Sequence, residues 1–211
     1  MTTFDPSTFD ITRMDITQQN VAVEKVLAAT TTPRHRYLLQ AYLRHRYLES
    51  AGRYEEIFDP RLTVENPFYR FAVDGHRTEL AGREQVEKVY RHWTDTDQCV
   101  FYVKDETVAV GDNLVVGRGI SYQQTLGSEL AAAGVDADPD AMYLKRAALV
   151  MIWPYDDQGR LLGEDVWEFD EGERALIKLD PADVLTATQA GALLAPYIHP
   201  LPPFYDSLLP A

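Results

Sequence analysis

Cysteine is nearly absent. Cys99 is the only one in 211 residues, so no internal disulfide can form, and the chain suits a reducing compartment. Basic residues are also scarce: 20 Lys and Arg stand against 33 Asp and Glu, for a formal net charge of −13. Such a surface repels phosphate backbones and anionic membranes, which excludes nucleic acid and membrane as expected partners. No run approaches the ~18 apolar residues of a membrane span. The first ten residues lack the basic start and apolar core of a signal peptide, so a cytoplasmic location is expected. Metal-ligand spacing is missing too, because the histidines at 35, 45, 76, 92 and 199 form no His-x-x-x-His pair and have no cysteine partner. Gly117-Arg118-Gly119 lies inside a strand-like run rather than a dinucleotide loop, and Ser121 and Ser128 have no nucleophile-elbow context. No metal and no cofactor are therefore expected.

What remains is an ordinary packed chain, 45% apolar and 25% charged, of a length that suits one domain with extensions. Residues 1–33 read as an N-terminal arm, aperiodic to Ile16 and then helical over 17–29. It packs on the body or a partner, or covers a pocket. Pro33 opens a helix over 34–51, with Leu38, Ala41, Tyr42, His45, Leu48 and Glu49 on one face and Gly52 at its end. A short helix at 53–58 and a strand at 61–66 closed by Pro67 follow. Residues 68–81 read as a loop, and 82–94 return to helical spacing. Strands are expected at 98–110, 114–126, 142–153 and 160–169, with an acidic insertion at 127–141. Asp180-Pro181 opens a final helix, and a proline-rich tail follows Pro196. Helices early and an antiparallel run late define α+β, with a concave sheet face available to a small molecule.

Three stretches carry a family resemblance: Tyr54-Glu55-Glu56-Ile57-Phe58, Leu62-Thr63-Val64-Glu65-Asn66-Pro67 with Gly82-Arg83-Glu84-Gln85-Val86, and Gly163 through Asp170. Together they resemble the nuclear-transport-factor-2-like (NTF2-like) superfamily, in its SnoaL-like and ketosteroid-isomerase-like branches, over roughly residues 34–170. The resemblance implies an α+β cone: a curved antiparallel sheet wrapped around N-terminal helices, with a C-terminal helix and tail. The expected organisation is an arm at 1–33, the NTF2-like domain at 34–180, and a helix and tail at 181–211. It also implies a homodimer formed through the sheet. Family members span isomerases, cyclases, dehydratases, epoxide hydrolases and binding proteins, so the fold does not settle the function. The isomerase's proton-shuttling Asp matches Asn66, which cannot take a proton, and its donor Tyr matches His45. In the limonene-epoxide-hydrolase-like pattern, Asn66 and Arg118 match, Asp165 matches with a shift of one or two residues, and Ile120 stands where an Asp is expected.

His45 is the leading candidate, because an imidazole on the helix face beside the pocket exchanges protons near neutral pH. Tyr42, one turn earlier, would donate to an enolate oxygen. Asn66 and Glu65 alternate, so one of them points inward, and the resemblance favours Asn66. Arg118 would bind a carboxylate or tune an acid. On the last strand, Val166 among acids suggests that Glu164, Val166 and Glu168 face solvent, which turns Asp165 and Trp167 inward. An inward Asp165 would have its pKa raised by burial. Trp93, Phe68, Tyr69, Phe101, Tyr102 and Trp167 would line the pocket against an apolar ligand. The expected function is cofactor-independent acid–base chemistry: dehydration, isomerisation or cyclisation of a small polyketide-, steroid- or terpene-like substrate. Epoxide hydrolysis is the alternative enzyme reading, and a non-catalytic binding or assembly subunit is the third.

Overall fold

The computed structural model describes residues 4–205. Six strands form one sheet in the order β2-β1-β6-β5-β4-β3. They are β1 (Thr63–Val73), β2 (His76–Ala81), β3 (Phe101–Val110), β4 (Leu114–Leu126), β5 (Met142–Pro154) and β6 (Leu161–Lys178). Neighbours pair antiparallel except β1 and β6, which run parallel. The helices are α1 (Val21–Ala29), α2 (Pro33–Ser50), α3 (Arg83–Asp95), α4 (Gly127–Ala132) and α5 (Ala187–Leu194). The architecture is the expected α+β one, with helices packed on a curved sheet.

Several local expectations fail. Asp180-Pro181 opens only a 3-10 turn, and Thr186 caps the final helix α5. The acidic insertion opens with the helix α4. The stretch 68–81 is not a loop. β1 continues through Pro67 to Val73, turns at Asp74 (φ +57°) and Gly75 (φ +76°), and returns as β2. Two consecutive positive φ values make the two-residue turn that suits the twist of a hairpin. Pro67 is tolerated because the β1–β6 register breaks between Thr63 and Phe68, where no ladder N–H is required. The arm before Ile16 is not aperiodic either. Asp5, Asp10 and Asp15 each accept a hydrogen bond from the backbone N–H two residues on and open a single 3-10 turn. The arm then lies on the outer side of the sheet, with Phe9 against Tyr122 and Lys104 Nζ donating to the Arg13 carbonyl.

Helix α2 sits deep on the concave face because β4 makes room for it. A Cβ at Gly117 would come within 2.9 Å of Tyr42 Oη and 3.0 Å of Glu106 Oε1. Tyr42 stands edge-on to Trp153 of β5, with ring centroids 4.6 Å apart. A bulge in β3 around Asp105 (φ +52°) turns Glu106 inward, where it takes Arg46 Nη1 on both oxygens at 2.9 and 3.0 Å.

Candidate functional site

A cavity of about 380 Å3 opens between α2, α3 and the sheet. From α3, Tyr90 and Trp93 face it, and from the sheet Phe101, Leu149, Met151, Trp153 and Val166 do. The last turn of α2 contributes Arg46, Glu49 and Ser50, and β6 contributes Glu164. The arm closes one end with Gln19. At the rim, Lys145 Nζ pairs with Asp74 at 3.0 Å.

Two carboxyls thus stand in a mostly apolar wall. Glu164 is 6% exposed. Tyr90 Oη donates to its Oε1 at 3.3 Å, and His45 Nε2 lies 3.1 Å from Tyr90 Oη and 3.5 Å from the same carboxyl oxygen. Burial pushes the Glu164 carboxyl well above the usual range. The negative charge of Glu49 pushes it further, and the Tyr90 hydroxyl offsets this only in part. Burial lifts Glu49 to about 8, against the opposing pull of the Arg46 guanidinium. Arg46 is the cation of this wall, and Glu106 already holds it bidentately.

His45 is 1% exposed and packs with its ring centroid 4.5 Å from that of Trp153. Burial, and secondarily the positive charge of Arg46, lowers it to about 3, so it is neutral at physiological pH. It stands behind the cavity wall, against Tyr90, Glu164 and Trp153, which line the cavity. Tyr42 is fully buried, with its hydroxyl 3.4 Å from Arg46 Nη1, and burial raises its pKa. Tyr69 is buried beside Tyr90, with ring centroids 6.3 Å apart. Trp93 and Phe101 line the cavity.

The remaining expected residues lie elsewhere. The parity of β6 is the reverse of the expected one. Glu164 and Val166 face inward, while Asp165 pairs with Arg70 at 3.2 Å and Trp167 shares its outward side. Adjacent strand residues point to opposite faces, so reversing the parity exchanges Asp165 for Glu164 as the acid that faces the cavity. Asn66 is exposed on β1, as is Glu65, so neither enters the cavity. Arg118 is exposed on the outer sheet face, its guanidinium 3.8 Å from the centre of the Phe169 ring. Phe68 is exposed beneath Arg70. Tyr102 belongs to a second apolar cluster, with Ile16 and Tyr122, on the outer side of the sheet. Among the described residues no cluster of three or more His, Cys, Asp or Glu could hold a metal ion. No helix among them is long and apolar enough to cross a membrane.

Neither residue of the carboxyl pair was singled out in the sequence. Glu49 follows His45 by one helical turn on the face expected to meet the pocket, and that spacing was the available signal. For Glu164 the signal was Gly163. A Cβ there would fall 1.8 Å from the Phe68 carbonyl oxygen, so β6 meets β1 at that residue and its pleat is set from there.

No protein-family model and no curated protein matches the chain. Solved structures do. The chain has the NTF2-like fold. More narrowly, it superposes on a candidate SnoaL-like polyketide cyclase from Shewanella putrefaciens CN-32 with a TM-score of 0.51 at 9% identity, covering 70% of this chain and 87% of that one. An NTF2-like protein from Anabaena variabilis ATCC 29413 matches with a TM-score of 0.49 at 10% identity, over 68% of this chain and 96% of that one. A further candidate SnoaL-like polyketide cyclase, from Jannaschia sp. CCS1, matches with a TM-score of 0.48 at 13% identity, over 66% and 90%.

Proposed function

We propose that this chain is an acid–base enzyme, a dehydratase, isomerase or cyclase, acting without a cofactor on a small and mostly apolar substrate. The observation that carries this reading is the pair Glu49 and Glu164 in the wall of one apolar cavity. Buried carboxyls whose pKa is raised toward neutrality are suited to proton transfer, and a pair with different environments divides the roles of acid and base. Glu49 stands on α2 with Arg46, whose positive charge favours its anion, so it is assigned as the base that removes a proton from carbon. Glu164 is held up by burial and by the charge of Glu49, so it is assigned as the acid that protonates a departing hydroxyl or a new carbon centre. In a dehydration, Glu49 gains the proton that leaves carbon, Glu164 loses one to the departing water, and transfer between them restores both. Tyr90 and His45 position Glu164 through its Oε1. Epoxide hydrolysis is not favoured, since Asn66, Arg118 and Asp165 do not meet in the cavity. Pairing of two copies through the outer sheet face belongs to the same reading, supported by the outward Trp167 and Phe169.

The test is a mass-resolved screen of β-hydroxyketones, enones and epoxides in isotopically heavy water. Loss of water or exchange at carbon is expected, with activity rising through about pH 8 as Glu49 ionises. Glu49→Gln and Glu164→Gln should each lower kcat by roughly 10²–10⁴-fold. Folded variants that keep full turnover would sink the assignment. Turnover confined to epoxides would move it to hydrolysis.

A further inference from the structure

We propose that the ligand of this cavity carries a positive charge, an ammonium nitrogen on an apolar body, seated between Glu49 and the aromatic side chains of α3 and β3. This deepens the acid–base reading and rests on it in taking the cavity as the substrate's site.

Every cation that lines the cavity, His76 apart, already has a counter-ion. Arg46 gives its Nη1 to both oxygens of Glu106. Lys145 pairs with Asp74 at 3.0 Å. His76 stands exposed on β2, and His45, behind the wall, is neutral. The two carboxyls Glu49 and Glu164 are left without a cation of their own. Glu164 accepts from Tyr90 and lies against His45. Glu49 lines the cavity half-buried, and among the described residues its carboxyl accepts no hydrogen bond and joins no ion pair. An open carboxyl in a wall whose positive charge is already matched is complemented by a cation. An anionic ligand would add a further negative group to an apolar enclosure.

The lining rings supply the second half of the recognition. Tyr90, Trp93 and Phe101 all face the cavity. Successive planes stand at 87° and 74°, with centroids 5.8 and 5.9 Å apart. Rings near right angles offer π faces in more than one direction, and an ammonium group is attracted to such faces. Leu149 and Met151 suit the apolar body that carries it. The net charge of −13 draws cations to the molecule as a whole. The base is affected as well. Burial lifts Glu49 to about 8, so in the empty cavity it is mostly protonated at pH 7. A cation beside it favours the anion and sends the proton to solvent. The ligand thereby ionises the group that acts on it.

The experiment titrates the full chain with trimethyl(2-phenylethyl)ammonium and with 3,3-dimethylbutylbenzene, which has carbon in place of the charged nitrogen, and follows tryptophan fluorescence. The quaternary nitrogen has no proton, so any proton released on binding comes from the protein. The cation's affinity should rise roughly 10–25-fold from pH 6.5 to 8.5 as Glu49 ionises, while the hydrocarbon's changes by less than about twofold. Calorimetry at pH 7 in buffers of different ionisation enthalpy should show about one proton released per cation bound. Glu49→Gln should abolish the rise and the release. It should also lower the cation's affinity at pH 8.5 by roughly tenfold or more, with the hydrocarbon's within about twofold. Glu49→Ala carries the test if Gln impairs folding. A cation affinity that is flat across pH, a rise shared by both probes, a rise that survives both substitutions, or no binding of the cation would each overturn the proposal. Failure of the acid–base reading shows differently, as unchanged turnover in the Glu variants, and leaves the pH response of cation binding intact.

Discussion

Glu49 and His45, one turn apart on α2, are shifted in opposite directions by burial, and the signs can be read in stability. Glu49 rises from near 4.5 to about 8 on folding. Between those values the folded state holds a proton that the unfolded chain has lost, so stability falls as pH climbs from 4.5 to 8. His45 falls from 6.5 to about 3, so the unfolded chain takes up a proton first, and stability falls as pH drops through that window. Glu49→Gln should therefore raise Tm at pH 8.5 and have little effect at pH 4.5, by roughly 2–4 °C per kcal/mol of relieved penalty in a chain of this size. A calorimetric Tm difference that is the same at both pH values would refute the raised pKa. The sequence made half of this legible. Helical spacing put Tyr42, His45 and Glu49 on one face, but chemistry drew attention to the imidazole. An imidazole with a fully packed position loses its charge and its access together, and the carboxyl at the helix end, beside the cavity, keeps its access and ionises near pH 8. That outcome depends on where α2 stops against the sheet, which periodicity does not encode.

At the scale of elements, β6 shows what pattern reading can and cannot carry. Its existence follows from composition, but its facing does not, because Glu164, Asp165, Val166, Trp167 and Glu168 alternate without a clean apolar side. The facing is fixed where β6 meets β1. Gly163 (φ +152°) lets the Phe68 carbonyl approach closer than any side chain would permit. Gly163→Ala should cost on the order of 3 kcal/mol, as backbone rather than a flexible side chain would have to move. It should also shift β6 against β1 and remove Glu164 from the cavity. Urea denaturation and a turnover assay check both effects, and a variant with native stability would show that the contact is not limiting. The hairpin after β1 is legible in Asp74-Gly75, but Pro67 reads as a stop before it. The three capped turns of the arm were legible as well, in an Asp followed two residues later by Ser or Thr at every fifth position.

For the whole molecule, the two faces of the sheet have separate tasks. The concave face holds the cavity, and the arm covers the outer side near Tyr102 and Tyr122. The outer side near β6 stays open, with Phe169 40% exposed under Arg118 and Trp167 half-buried beside it. If two copies pair there, Phe169→Asp should convert a dimer into a folded monomer, read by light scattering with unchanged circular dichroism. An unaltered mass would exclude that face. The α+β class, every helix but α4 and five of the six strands, β1 only in its first half, were legible from periodicity, since amphipathic spacing survives without knowledge of tertiary partners. Which half of the outer face the arm occupies was not, because it rests on contacts between residues a hundred or more positions apart, such as Phe9 and Tyr122. The bulge at Asp105 that turns Glu106 toward Arg46 has one more effect. It lies on β3, one of the sheet's two free margins. A margin with regular pairing groups is a template on which strands from other chains can add. A kinked margin carrying Lys104 and Asp105 is a poor template, so the residue that delivers a counter-charge to the interior also keeps the sheet from growing outward into fibres.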